Sequence, residues 1–500
     1  MKKALVSIAL AAILSQSFSI AQTASNQQAS SVPYNLAKCI EFALQNNHRM
    51  SISRESVEMA IAVHRQALSA WWPQISGSFL GSRMDEDPNF IFPASQMITP
   101  ASSFTVPSTV ITLPANIFGP GFPPQNVPIP IPPTSVDVPA QTISIPQQNI
   151  KLMNRDNLLA SVNFTLPLYT GGLRESRIGQ AKSGMEVARQ DERKTDLEII
   201  YDVKRLYYAT VMGDQLIKIS KDTLARMEAT LELTEKLYKT GSGTVKKTDY
   251  LRNSLVVETL RGIVAELEGQ ERNLRTTLLM VIGQDMGNPI TLADTELTFK
   301  PVSVDPKAML EAAVANNPDI AKVQAALRAA EFGVRAAQSG HIPKVALVGK
   351  ANKIVNSYDS GIVTPDNKST WMVGIGIDIP IFEGFRVSNE VAEQKANLRK
   401  LQAQLDLLRD GIALQVRSTC HDLIKAQEKQ KSTLEAFRSA KENRELNVRA
   451  YQEELVETKE VIEAQIMEAL ISGNYQQVLF EYAETQARLE FLTGARSKTN

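Results

Sequence analysis

The residues best suited to chemistry are few and scattered. His48, His64, His341 and His421 are the only imidazoles in 500 residues. None stands in a His-Glu-x-x-His pair or at a spacing that gathers metal ligands. Cys420 and His421 are neighbours on a helical stretch, where adjacent side chains diverge, so they make no thiol–imidazole dyad. No Gly-x-Ser-x-Gly elbow and no phosphate-binding glycine loop occurs. Cys39 and Cys420 are the only cysteines, too far apart in sequence for a disulfide framework, and both read as small buried hydrophobes. The chain therefore reads as a non-enzyme with no cofactor and no metal. Any energy it uses must come from a partner.

Charge narrows the class further. The 54 basic and 54 acidic residues balance, so no basic face argues for nucleic acid. Residues 1–21 read as a signal peptide: Lys2 and Lys3, an apolar Ala4–Leu14, and Ser19-Ile20-Ala21 with cleavage near Ala21. No cysteine follows that site to take a lipid. No run of 18 apolar residues follows either, so a spanning helix is excluded while a β-barrel is not.

The elements that must position any site come next. Leu159–Leu166 alternates with a period of two, then Leu166–Gly172 (Leu-Pro-Leu-Tyr-Thr-Gly-Gly) opens a long helical pattern. Ile379–Phe385 repeats the event. Cys39–Asn47 aligns with Met309–Asn317, and Trp72-Pro73 with Ile342-Pro343, both at an offset of 270. Tyr238 aligns with Tyr451 at 213, and Gly283 with Gly494 at 211. The chain is read as a tandem internal repeat, 33–283 and 307–494, joined by a connector at 284–306 and ending in a tail at 495–500. The first repeat places strands at 75–82 and 158–168, a long helix at 172–239, a tip at 238–249 and a return helix at 248–282. The second places strands at 345–353 and 371–381, a long helix at 384–451, a tip at 451–463 and a return helix at 459–493.

In the last strand Trp371, Val373, Ile375, Ile377 and Ile379 face one way against Met372, Gly374, Gly376 and Asp378, as in a lipid-facing barrel strand. Pro73 and Pro343 suit helix-to-strand joints; Pro167, Gly171 and Gly172, with Pro380 and Gly384, suit strand-to-helix joints. Between the first two strands, 83–157 holds 14 of the 24 prolines and is expected to be an extended or polyproline outer loop. The long helices would reach ~100 Å and the return helices ~50 Å. Heptads at Leu224, Met227, Leu231, Thr234 and Tyr238, and at Leu398, Leu401, Leu405, Leu408 and Ile412, predict coiled-coil packing. Four strands cannot close a membrane barrel, so the chain must oligomerise.

The duplication, Asn316-Asn317-Pro318-Asp319-Ile320, Pro73 and Pro343, the Pro-Leu-Tyr-Thr-Gly-Gly turn and Tyr451…Glu460-Val461-Ile462-Glu463-Ala464-Gln465 resemble the TolC-type outer-membrane efflux proteins over residues 33–494. The resemblance implies an α+β membrane protein: a homotrimer whose long α-helices form an α-barrel tunnel in the periplasm and whose β-strands form a 12-stranded transmembrane barrel in the outer membrane, in contact with its lipid. It also implies a passive exit duct that works with a periplasmic adaptor and an inner-membrane pump of RND, ABC or MFS type. Mapped onto its tip pattern, Tyr238, Asp249, Tyr451, Glu460 and Glu463 would line the aperture, and acidic rings there would favour cations. Gly241, Gly243, Glu454 and Leu455 would contact the adaptor. The family's gating arginine falls at Val456, so that salt-bridge lock is not expected. The competing class is a periplasmic coiled-coil adaptor, which predicts one hairpin and a β-rich half.

Overall fold

The computed structural model describes residues 33–93, 95–98, 102–105, 135–138, 142–145, 147–152, 154–241, 245–355, 368–453 and 455–494. The signal segment 1–21, Gly243, Glu454, the tail 495–500 and most of the paired prolines of 83–157 lie outside them. In chain order the elements are α1 (Leu36–Asn46), α2 (His48–Leu68), β1 (Gln74–Arg83), β2 (Asn89–Phe92), β3 (Ser95–Ile98), β4 (Ser102–Thr105), β5 (Ser135–Val138), β6 (Thr142–Ile145), β7 (Gln148–Lys151) and β8 (Asp156–Tyr169). Then come α3 (Leu173–Lys239), α4 (Lys247–Val281), α5 (Pro306–Asn316), α6 (Pro318–Gln338), β9 (Lys344–Val355), β10 (Ser369–Asp378), α7 (Arg386–Gln452) and α8 (Thr458–Thr493). The lengths recur: 11 and 21 residues for α1 and α2 as for α5 and α6, and 67 for both α3 and α7. Among the described residues no helix is long and apolar enough to cross a membrane.

The chain forms two compact units. The first gathers the helices. One apolar core packs Cys39, Ala43 and Met50 on Ile199, Val203, Tyr207 and Leu278; another packs Ala313 and Ile320 on Leu405, Ile412, Val416, Cys420, Tyr482 and Leu489. Both cysteines are free and buried. Burial raises the Cys39 thiol to about 12, so it stays protonated and inert.

The heptads divide the two long helices. In α7 the expected seam holds, with Leu405 and Ile412 buried. In α3 the expected Met227 and Thr234 are buried, but Thr223 and Thr230, each one residue before an expected leucine, are buried in place of Leu224 and Leu231, while Tyr238 is exposed. Threonine fits a helix seam because its hydroxyl can bond back one turn, leaving the methyl to pack. Thr223, Thr230 and Thr234 donate to the carbonyls of Ile219, Arg226 and Thr230 at 2.7, 2.9 and 2.7 Å.

The second unit is an antiparallel sheet in the order β1-β8-β9-β10. Its register lines up Ile75–Phe164–Gly349–Val373 and Phe79–Ala160–Lys353–Ser369 across the four strands. Because side chains alternate, Ile75, Phe79, Val162, Phe164, Leu166, Leu347, Trp371, Val373, Ile375 and Ile377 share one face. Ser76, Ser78, Asn163, Thr165, Lys350 and Asn352 share the other. Three further ladders, β2–β7, β3–β6 and β4–β5, extend from the β1–β8 pair. The expected polyproline loop is thus, in its described parts, a paired β-ribbon.

Two joints differ from expectation. Pro167 does not end its ladder: β8 runs on to Tyr169 past an irregularity between Pro167 and Tyr169. β10 ends at Asp378, so Ile379 and Pro380 lie beyond it. Gly171 has φ +65°, and a Cβ there would lie 2.8 Å from that of Ile342; Gly172 has φ +87° with open space around it. In the second half Gly384 (φ +59°) is followed by Phe385, which holds φ 63° at the start of α7, a conformation costing an L-residue about 1 kcal/mol. Pro73 and Pro343 each follow a single 3-10 turn and precede β1 and β9.

Candidate functional site

The candidate site is the pair of turns that join the long helices to their return helices. At the first, α3 ends at Lys239 and Gly241 reverses the chain with φ +76°. Asp249 folds back on the start of α4, accepting the Lys246 backbone N–H at 3.0 Å, and lies 3.7 Å from Arg252. A carboxylate here satisfies an orphan helix donor and meets the positive end of the helix dipole. Asp249 is a cap before it is anything else. Tyr238 is 42% exposed.

The second turn is built differently. Tyr451 is 5% exposed, and its hydroxyl lies 3.0 Å from both Thr234 Oγ1 on α3 and Thr458 Oγ1 on α8. Within the chain it is a buried tie between three helices. Leu455 is exposed at 77%, with its N–H bonded to the Ala450 carbonyl at 2.8 Å. Glu460 and Glu463 are exposed on one face of α8. Glu460 sits in the first turn of α8; Glu463 lies 3.6 Å from Lys459.

Above the turns the seam is polar. Gln465 donates to Thr230 Oγ1 at 3.0 Å; one helical turn on, Glu468 meets Arg226 at 2.8 Å and Arg444 at 3.9 Å. The apolar contacts here are few: Met227, Val257 and Ile462, with Leu224, Leu231, Val256, Leu260 and Ile466 around them. Sequence reading missed Arg226, Arg444 and Glu468, because their partners lie on other helices. It missed Arg174 as well, whose guanidinium stacks 3.4 Å from the Trp71 ring centre and donates to the Pro167 carbonyl at 3.1 Å. Among the described residues no His, Cys, Asp and Glu group could hold a metal.

The family model described as "Outer membrane efflux protein" matches residues 142–284 and 309–495, and the chain belongs to that family. BepC of Brucella suis, an outer membrane efflux protein, is 20% identical over 325 residues, which is 63% of this chain and 68% of that one. The cation efflux system protein CusC of Escherichia coli K12 is 23% identical over 51% of this chain and 58% of its own. Among solved structures, the Campylobacter jejuni CmeC outer membrane channel superposes with a TM-score of 0.70 at 14% identity, covering 93% of this chain and 87% of its own. VceC of Vibrio cholerae gives 0.67 at 14%, covering 92% and 96%. These likenesses establish the fold. The protein is an outer membrane efflux protein, and the periplasmic adaptor alternative is not supported.

Proposed function

We propose that the chain is one third of a homotrimeric exit duct, receiving solute from an inner-membrane pump through a periplasmic adaptor and releasing it outside. The observation that carries this is the four-stranded sheet with one mainly apolar face, interrupted at Lys353, and two open edges. Among the described residues β1 and β10 each lack a partner on one side, and unpaired backbone in lipid costs several kcal/mol per group. All pairings are antiparallel, so β10 of one copy meets β1 of the next antiparallel as well, and three copies close a ring of twelve strands. The aromatic side chains of Trp72 and Trp371, both more than 70% exposed, would mark its two membrane boundaries. Migration of the outer-membrane fraction on a gel, unheated against boiled, tests the assembly. A heat-released trimer is expected, and a soluble monomer would sink the reading.

At the aperture, Glu460 and Glu463 supply the charge that favours cations, since they are exposed while Asp249 is engaged as a cap. Glu460→Ala combined with Glu463→Ala is expected to lower cation selectivity in planar bilayers. Unchanged selectivity removes them from the role. Leu455 is the described residue best placed for adaptor contact; Gly241 is committed to the turn by its positive φ.

A further inference from the structure

The ribbon between β1 and β8 has a composition unlike an ordinary external loop. From Asn89 to Ile150 the only charged residue is Asp137, and there is no Trp or Tyr. Its root is firmly held. Asp87 pairs with Lys151 at 2.5 Å and accepts the Arg155 N–H at 2.8 Å, and Leu152 N–H donates to the Pro88 carbonyl at 2.8 Å. Beyond this clamp, Phe90 pairs in register with Ile150, and Phe92 with Gln148. The two phenyl rings lie 4.5 Å apart edge to face, on one side of the ribbon. Yet Phe90 and Phe92 are 51% and 40% exposed, so no described residue covers them fully. The next ladders keep the alternation in sequence, with Met97 opposite Ile143 and Phe104 opposite Val136.

A two-stranded ribbon with one apolar side is marginal in water and needs a cover. A lipid surface would be met by Lys, Arg, Trp or Tyr, and the ribbon from Asn89 to Ile150 has none of these. A second copy of the same ribbon fits better. Ribbons with a single charge each, Asp137, repel little, and each one continues from β1, the open sheet edge that the proposed assembly pairs. We infer that the Asn89–Lys151 ribbons of the trimer pack their Phe90–Phe92 sides against one another, forming an apolar collar at the outer mouth of the duct. This rests on the trimeric reading above.

The test is disulfide trapping in outer-membrane fractions of the full chain carrying Phe90→Cys, with Phe92→Cys as a second probe on the same side and Asn89→Cys on the other. The native thiols are buried and silent. Under mild oxidation Phe90→Cys and Phe92→Cys are expected to yield cross-linked dimers at least about tenfold over Asn89→Cys. Equal or absent cross-linking at both phenylalanine positions, with the heat-released trimer intact, overturns the collar alone. Loss of the trimer in the unaltered protein overturns the assembly and the collar together. As an independent readout, Phe90→Ser with Phe92→Ser is expected to raise single-channel conductance about twofold, and an unchanged conductance counts against a collar.

Discussion

At the first helix turn Tyr238 stands exposed and Val257 fills the seam; at the second, Tyr451 is buried among hydroxyls and Glu468 occupies the place of Val257. The offset of 211 that relates Gly283 to Gly494 also relates these two seam residues. The same backbone plan is therefore closed by an apolar contact in one half and by ions in the other. An apolar contact tolerates small slips. A carboxylate shared by two guanidiniums holds one geometry or loses much of its energy. The second turn is the one built to be either in register or out of it.

Four changes would break or sharpen this contrast. Glu468→Ala leaves Arg226 and Arg444 without their shared partner and is expected to cost about 3 kcal/mol, read as lost amide protection in α8. Converting the three together to Met, Leu and Met is expected to recover most of that, making the second seam resemble the first. At the joints, Gly171→Ala combines a positive φ with a Cβ set against Ile342 and is expected to cost about 2 kcal/mol in denaturant unfolding, against about 1 kcal/mol for the unobstructed Gly172→Ala. Tyr451→Phe removes the hydroxyl shared by Thr234 and Thr458 and strands the buried Thr458 hydroxyl, at a cost of about 1 kcal/mol, whereas Tyr238→Phe should fall within about 0.5 kcal/mol of the parent. The last concerns the ribbon, which is much longer in the first half. The bond from Lys151 holds the Asp87 carboxyl below its ordinary value, helped by the Arg155 N–H. A depressed acid stabilises above its unfolded pKa and stops doing so as pH falls through the folded one. The clamp is thus intact at neutral pH, and exchange of the Phe90–Phe92 amides should quicken only below the ordinary aspartate range, near pH ~4.

Local patterns carried much of the fold. The period-two alternation of Trp371–Ile377, the prolines before β1 and β9, and the leucine spacing of α7 each declare their element without knowledge of a partner. The seam of α3 was legible at Met227 and Thr234 and missed by one residue at Thr223 and Thr230, which look polar in sequence and act as methyl groups in place. The ribbon was hidden for another reason. Its short strands are broken by prolines, and pairing Phe90 with Ile150 depends on a partner 60 residues away. At the turns, chemical type was legible and orientation was not. Tyr451 and Tyr238 read alike, and only the packing of α3 on α8 sends one of them inward. Asp249 and Glu460 also read alike, until the Lys246 N–H claims the first.

The two open edges of the sheet carry a consequence for biogenesis. If the proposed trimer holds, a single chain in lipid presents the outer edges of β1 and β10 unpaired, so its folded sheet is not a state that can wait for company. Closing the ring and entering the membrane become one event, whose yield depends on how many copies are present at once. In the proposed trimer a defective strand edge in a minority of chains would spoil rings in excess of its own number, making the channel sensitive to dominant-negative variants on the edge strands at lipid-side residues such as Phe79 and Val373.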